Sequence, residues 1–122
     1  MNKVKKIEID AKKMYDNGHF EQFIQLKYLA VEKLAEILYL ELFDEDVLIN
    51  NNLRLSTIIE RIEKKLKKSF NIIDELNSWR KRRNQIVHEY IKITREEANS
   101  ASQFFNELAE RLYEEFNKSI SN

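Results

Sequence analysis

Cysteine is absent from the 122 residues, which removes disulfides, thiolate nucleophiles and thiolate-bound metals from consideration. Proline is absent as well, and Gly18 is the one glycine. With so few breakers and with Leu, Ile, Glu and Lys abundant, the composition predicts an all-α chain. Long hydrophobic runs are missing too. The most apolar stretch, Leu34 to Phe43, is interrupted by Glu36 and Glu41 and is too short to span a bilayer, so no membrane association is expected. The first ten residues alternate charged and isolated apolar side chains and lack the continuous apolar core of a signal peptide. A cytoplasmic location is the expectation that follows. Net charge is also lacking, with 21 Lys plus Arg against 21 Asp plus Glu, so bulk electrostatics do not make the chain a nucleic-acid binder.

What is present is a balance of 43% hydrophobic and 34% charged residues. That balance excludes a disordered tail and predicts a soluble, globular chain. Its length suits one domain with a single core, spanning residues 1–122. The charges are unevenly placed. Met1 to Glu60 hold eight basic and eleven acidic side chains, Arg61 to Arg83 nine and three, and Asn84 to Asn122 four and seven. The middle of the chain is therefore basic, a distribution that suits either a phosphate backbone or two solvated helix faces.

Hydrophobic periodicity divides the chain into five helices. Val4, Ile7, Ala11 and Met14 mark a first helix from about Lys3 to Tyr15, ended by Asn17-Gly18. A second, from His19 to Phe43, carries Phe20, Phe23, Ile24, Val31, Leu34, Leu38 and Leu42 on a stripe broad enough for a central, mostly buried helix. Asp44 to Asn52, with three consecutive asparagines, reads as the main loop. Leu55, Ile58, Ile59, Ile62 and Leu66 form the inner face of a third helix. A fourth begins near Asn71 and turns Ile72, Ile73, Leu76, Trp79, Ile86 and Val87 inward, leaving Arg80, Lys81, Arg82 and Arg83 outward. Thr94 and Glu97 form a capping-box pair that starts a fifth, with Ile93 placed to staple onto Ala98. The expected architecture is an up-and-down bundle of about five helices.

The segment from Trp79 to Tyr90 carries the chemistry. Arg80, Asn84 and His88 stand at successive four-residue spacings and share one polar stripe of a helix. Arg83 and His88 are five residues apart, about 140° around an ideal helix, so a loosened helix, a curled arginine or a second chain must bring them together. A histidine titrating near neutrality can take a proton from a ribose 2′-hydroxyl or give one to a leaving oxygen. An arginine offers a planar fork of donors to a phosphate and to the charge that builds on it, and asparagine can orient substrate or the histidine tautomer. With two histidines and no carboxylate cluster at metal-ligand spacing, metal-independent RNA cleavage without a cofactor is the simplest reaction these parts allow. The run Arg80, Lys81 and Arg82 reads equally as an RNA-binding face and as a solvated one.

The pattern Arg83-Asn84-x-x-x-His88, with Val87 before the histidine, resembles the signature of the HEPN superfamily. That family is a helical bundle, usually dimeric, in which two copies of the motif form one composite ribonuclease site. The resemblance implies that Arg83 and His88 are catalytic and Asn84 supporting, and that the chain forms a homodimer acting on RNA. Tyr90 extends the match to the Arg-x-x-x-x-His-x-Tyr form of HEPN toxins paired with a minimal nucleotidyltransferase antitoxin, which implies that Tyr90 is a modification site. Such an antitoxin is expected on a separate chain. The competing expectation is a non-catalytic HEPN-like module that binds RNA, a nucleotide or a nucleotidyltransferase partner.

Overall fold

The computed structural model describes residues 2–44 and 53–121, and these form five helices: α1 (Asn2–Asp16), α2 (Phe20–Phe43), α3 (Leu55–Leu66), α4 (Ile73–Glu89) and α5 (Arg95–Ser121). The expected all-α bundle is what the described residues adopt, and the bounds read for the first two helices and the starts read for the last two lie within about two residues of those observed. The loop expected over Asp44 to Asn52 lies outside the described residues beyond Asp44. No described helix is long and apolar enough to cross a membrane.

The second helix is the hub. Ile24, Val31, Leu34 and Leu38 along it are wholly buried, and α1 and α5 pack along its length while α3 and α4 lean on it more lightly. Onto these residues close Val4, Ile7 and Ala11 of α1, Ile58, Ile59 and Ile62 of α3, Leu76 and Ile86 of α4, and Ala101, Phe105, Leu108 and Leu112 of α5. Each aliphatic side chain removed from water in this way stabilises the fold by roughly 1.5–3 kcal/mol before the cost of ordering it. Alanines 11, 30, 35, 98 and 101 are buried as well, and small side chains of this kind let helix axes come close. One expected core residue is misplaced by periodicity alone: Val87 is 45% exposed. It faces a cleft between the last turn of α4 and the first turns of α2.

Helix ends show how a chain with one glycine manages its caps. Gly18, at φ 77°, closes α1 in a Schellman motif, with His19 N–H donating to the Met14 carbonyl and Gly18 N–H to that of Tyr15. Elsewhere side-chain-bearing residues must take the left-handed conformation: Asp44, Lys67 and Tyr90 cap α2, α3 and α4. Lys67 does so at φ 56° in a second Schellman motif, with Lys68 N–H donating to Glu63 and Lys67 N–H to Lys64. The exposed Lys67 side chain makes no hydrogen bond or ion pair with a described residue that would offset the strain. Lys67→Gly is therefore expected to stabilise the protein by about 1 kcal/mol in thermal or urea unfolding, since glycine adopts this region without a steric penalty. Unchanged or lower stability would show that the Lys67 side chain contributes a contact that offsets the strain.

The α5 start forms as the capping pair requires. Thr94 Oγ1 accepts the Glu97 N–H at 3.1 Å, Glu97 Oε1 accepts the Thr94 N–H at 3.4 Å, and Ile93 and Ala98 are both buried. The Ile93 N–H, just upstream, donates to Glu21 Oε2 of α2 at 3.0 Å, which ties this helix start to the hub.

Candidate functional site

On α4 the residues Leu76, Trp79, Arg83 and Ile86 follow one another at three- and four-residue spacings, so Arg83 lies on the helix's apolar stripe. It was expected to face outward with Arg80 to Arg82. Instead it is half-buried, with its guanidinium carbon 4.1 Å from the centroid of the Tyr28 ring on α2. That separation is within cation–π range. Tyr28 is itself 2% exposed and meets Phe105 edge-on at 5.9 Å, while Trp79 lies 6.1 Å from the same Phe105. The arginine thus rests on an aromatic floor anchored in the core.

Glu32 lies one turn beyond Tyr28 on α2. Burial pushes its carboxyl above the usual carboxylate range, the neighbouring charge of Glu36 pushes it further, and the Arg83 and Lys33 charges oppose both. Burial likewise pushes the Tyr28 phenol up, against the pull of Arg83. The Arg83 guanidinium makes no hydrogen bond to any described residue. The guanidinium carbon sits over the Tyr28 ring while the N–H groups stay unbonded to the described residues.

The adjacent Arg82 is arranged in the opposite way. Its Nε and Nη2 donate to Glu97 Oε2 at 2.9 and 2.6 Å, and its Nη1 donates to Gln85 Oε1 at 3.1 Å. Arg82, expected in an RNA-binding run, spends its fork in pinning α4 to the first turn of α5. Arg80 is half-buried close enough to Tyr28 to act on its charge, and Lys81 is exposed. Of the basic run, Lys81 is the most open to solvent.

His88 stands exposed in the last turn of α4, where the helix dipole favours a cation. Asn84, one turn before it, is partly buried. Tyr90 is 85% exposed and takes φ 52° as the helix cap. With Glu21, Gln22, Gln25, Val87, Ile91 and Lys92 it lines a cleft of about 340 Å3. The structure therefore puts Asn84, His88 and Tyr90 at one end of α4, and turns Arg83 toward α2 on a different side of the same helix. Among the described residues no group of three or more His, Asp or Glu lies close enough to hold a metal ion.

Sequence reasoning missed Tyr28, Glu32 and the ion pair of Arg82. The signal for the first was available, since Tyr28 stands four residues from Ile24 and three from Val31 on the most buried stripe of the chain. Comparison with family models, with curated proteins and with solved structures finds no match to this chain.

Proposed function

We propose that the chain is a metal-independent endoribonuclease of the HEPN type, acting as a homodimer and serving as the toxin of a toxin–antitoxin or defence module. The observation that carries this reading is the contrast between Arg82 and Arg83. One guanidinium is consumed by internal hydrogen bonds, and the other lies over an aromatic ring with no N–H bonded to a described residue, five residues from an exposed histidine. A free, oriented arginine fork is what a phosphodiester requires, because it binds the non-bridging oxygens in pairs and opposes the charge that grows on them.

In the proposed reaction His88 takes the proton of a ribose 2′-hydroxyl, and the oxygen attacks the adjacent phosphorus. The bond to the 5′-oxygen breaks, a protonated histidine returns a proton to that oxygen, and the products are a 2′,3′-cyclic phosphate and a 5′-hydroxyl. One helix directs Arg83 and His88 to different sides, so two copies of α4 are needed to surround one phosphate. Val87 at 45% exposure and Tyr90 at 85% flank His88 and supply apolar surface that a second copy would cover. Arg80 and Lys81 extend the positive surface along the RNA. Tyr90, exposed and at a helix end, is open to modification by a nucleotidyltransferase antitoxin.

Incubating a mixed RNA pool with the purified protein in excess chelator, beside His88→Ala, tests the proposal. Wild-type cleavage leaving 2′,3′-cyclic phosphate ends is expected, with at least a hundredfold loss in a folded His88→Ala protein, the scale of lost acid–base catalysis. Equal cleavage by the two proteins removes His88 from the mechanism. No cleavage by either favours the other reading, a non-catalytic module binding RNA, a nucleotide or a partner.

A further inference from the structure

We propose that Tyr28 is a positioning residue for Arg83: its ring holds the guanidinium by one face, so that the in-plane N–H fork is presented to the RNA phosphate already oriented. This inference rests on the ribonuclease reading of Arg83, and it assigns to α2 a part in a site that the motif places wholly on α4.

An arginine has four flexible side-chain torsions, and fixing them when the substrate arrives costs free energy that weakens the transition-state contact. Two devices can fix them beforehand. An ion pair does so by occupying the donors, as Glu97 and Gln85 do for Arg82. A ring beneath the guanidinium does so without occupying any, because stacking uses the π-face and leaves the edge unbonded. Arg83, its guanidinium carbon 4.1 Å from the Tyr28 ring centroid and its N–H groups unbonded to any described residue, fits the second arrangement. The platform is rigid in turn. Tyr28 is 2% exposed and abuts Phe105, which also contacts Phe104 at 5.2 Å and Trp79 at 6.1 Å. Trp79 stands one turn before Arg83 on the same helix, so the core fixes both the ring and the backbone from which the arginine reaches it. Glu32 lies one turn further along α2 and its charge acts on Arg83, but no ion pair within 4.0 Å joins the two. Among the described residues the guanidinium has no hydrogen bond or ion pair, which leaves the ring as the restraint observed on it.

Since many phosphate contacts share RNA affinity while one fork meets the reacting phosphate, loss of the platform should act on kcat more than on KM. The test uses the full-length protein and a short fluorogenic RNA oligonucleotide in excess chelator, comparing wild type with Tyr28→Phe and Tyr28→Leu well below their melting temperatures. Phenylalanine keeps the ring and is expected to keep kcat within about twofold. Leucine keeps an apolar side chain without a ring and is expected to lower kcat about tenfold with KM within about twofold, the scale of a cation–π contact out of water. NMR of the wild type reads the platform without any variant. The Arg83 δ-methylene protons should be shifted upfield by the ring and show cross-peaks to the Tyr28 ring protons, and this holds the test open should Tyr28→Leu not fold. Unshifted Arg83 protons in a protein that cleaves RNA, or a folded Tyr28→Leu protein with wild-type kcat, overturns the positioning role alone. A wild type that does not cleave RNA overturns the ribonuclease reading, and the role of Tyr28 in it falls with that reading.

Discussion

Arg83→Lys is expected to cut RNA cleavage by about a hundredfold or more with little change in stability, and Arg82→Lys is expected to do the reverse. The two arginines are neighbours with equal charge, so the contrast isolates what each guanidinium does. Lysine retains the positive charge but has neither a planar face to lie on Tyr28 nor a fork to hold two phosphate oxygens at once. A single well-placed donor to a developing oxyanion is worth about 10²–10³ in rate, and in the proposed reaction Arg83 would supply two. At position 82 lysine keeps one bond to Glu97 and loses the second bond to Glu97 and the bond to Gln85. Both partners of that pair are 32% exposed, so the loss is about 1 kcal/mol or less. The consequence is a melting temperature lower by a few degrees, on the order of 4 °C per kcal/mol for a chain of this size, with kcat/KM within about threefold of wild type. The measurement is kcat/KM on an RNA oligonucleotide together with thermal unfolding for all three proteins. Equal losses of activity would mean that the helix contributes charge without geometry. A larger loss for Arg82→Lys would place the reacting phosphate on the α5 side of the helix, away from Tyr28.

How the fold and the site became visible follows from the same residues. Helix existence was legible because five apolar stripes run at helical spacing without a proline to interrupt them, and because Thr94–Glu97 and Asn17-Gly18 are local signals whose hydrogen bonds need no tertiary partner. The broad stripe of α2 announced a central helix for the same reason. What was hidden lay in polar residues that share a stripe with apolar ones. Arg83 occupies a position between Trp79 and Ile86 that periodicity alone assigns to the core. Reading the run from Arg80 to Arg83 as one outward basic face overlooked that four consecutive residues span most of a helical turn and cannot share a side. Val87 shows the converse. Its angular position is apolar, but it borders an open cleft between α4 and the first turns of α2, and a helical wheel holds no information about where two helices leave a gap. The partner of Arg82 was invisible for a third reason, since Glu97 is already engaged in the capping pair and its second use depends on the angle between α4 and α5.

Lys27 interrupts the buried stripe of α2 in the same way, and from it comes the largest stability effect expected away from the site. Its side chain is 5% exposed, and its ammonium donates to Glu8 Oε2 at 2.7 Å and to Asn106 Oδ1 at 2.5 Å, joining α2 to α1 and α5 in a cleft of about 480 Å3. The Glu8 side chain is 34% exposed, so the two ends of the pair are solvated unequally. Removing the buried end and removing the exposed end therefore have different consequences. Lys27→Met keeps the aliphatic stem that fills the stripe and leaves Glu8 to be hydrated in the cleft, and is expected to change stability by less than about 1 kcal/mol. Glu8→Ala removes the more exposed side chain but leaves an ammonium buried with one neutral acceptor, and is expected to cost about 3 kcal/mol, near the lower end for a broken buried pair. In thermal unfolding that is a drop on the order of 10 °C. Combining the two substitutions should recover most of the loss, because the stranded charge is then gone. Chemical and thermal unfolding of the three variants decide the matter. A Glu8→Ala protein as stable as wild type would mean that water in the cleft solvates Lys27 as well as the carboxylate does, and a Lys27→Met protein less stable than Glu8→Ala would mean that the pair is a net source of stability and not a compensated cost.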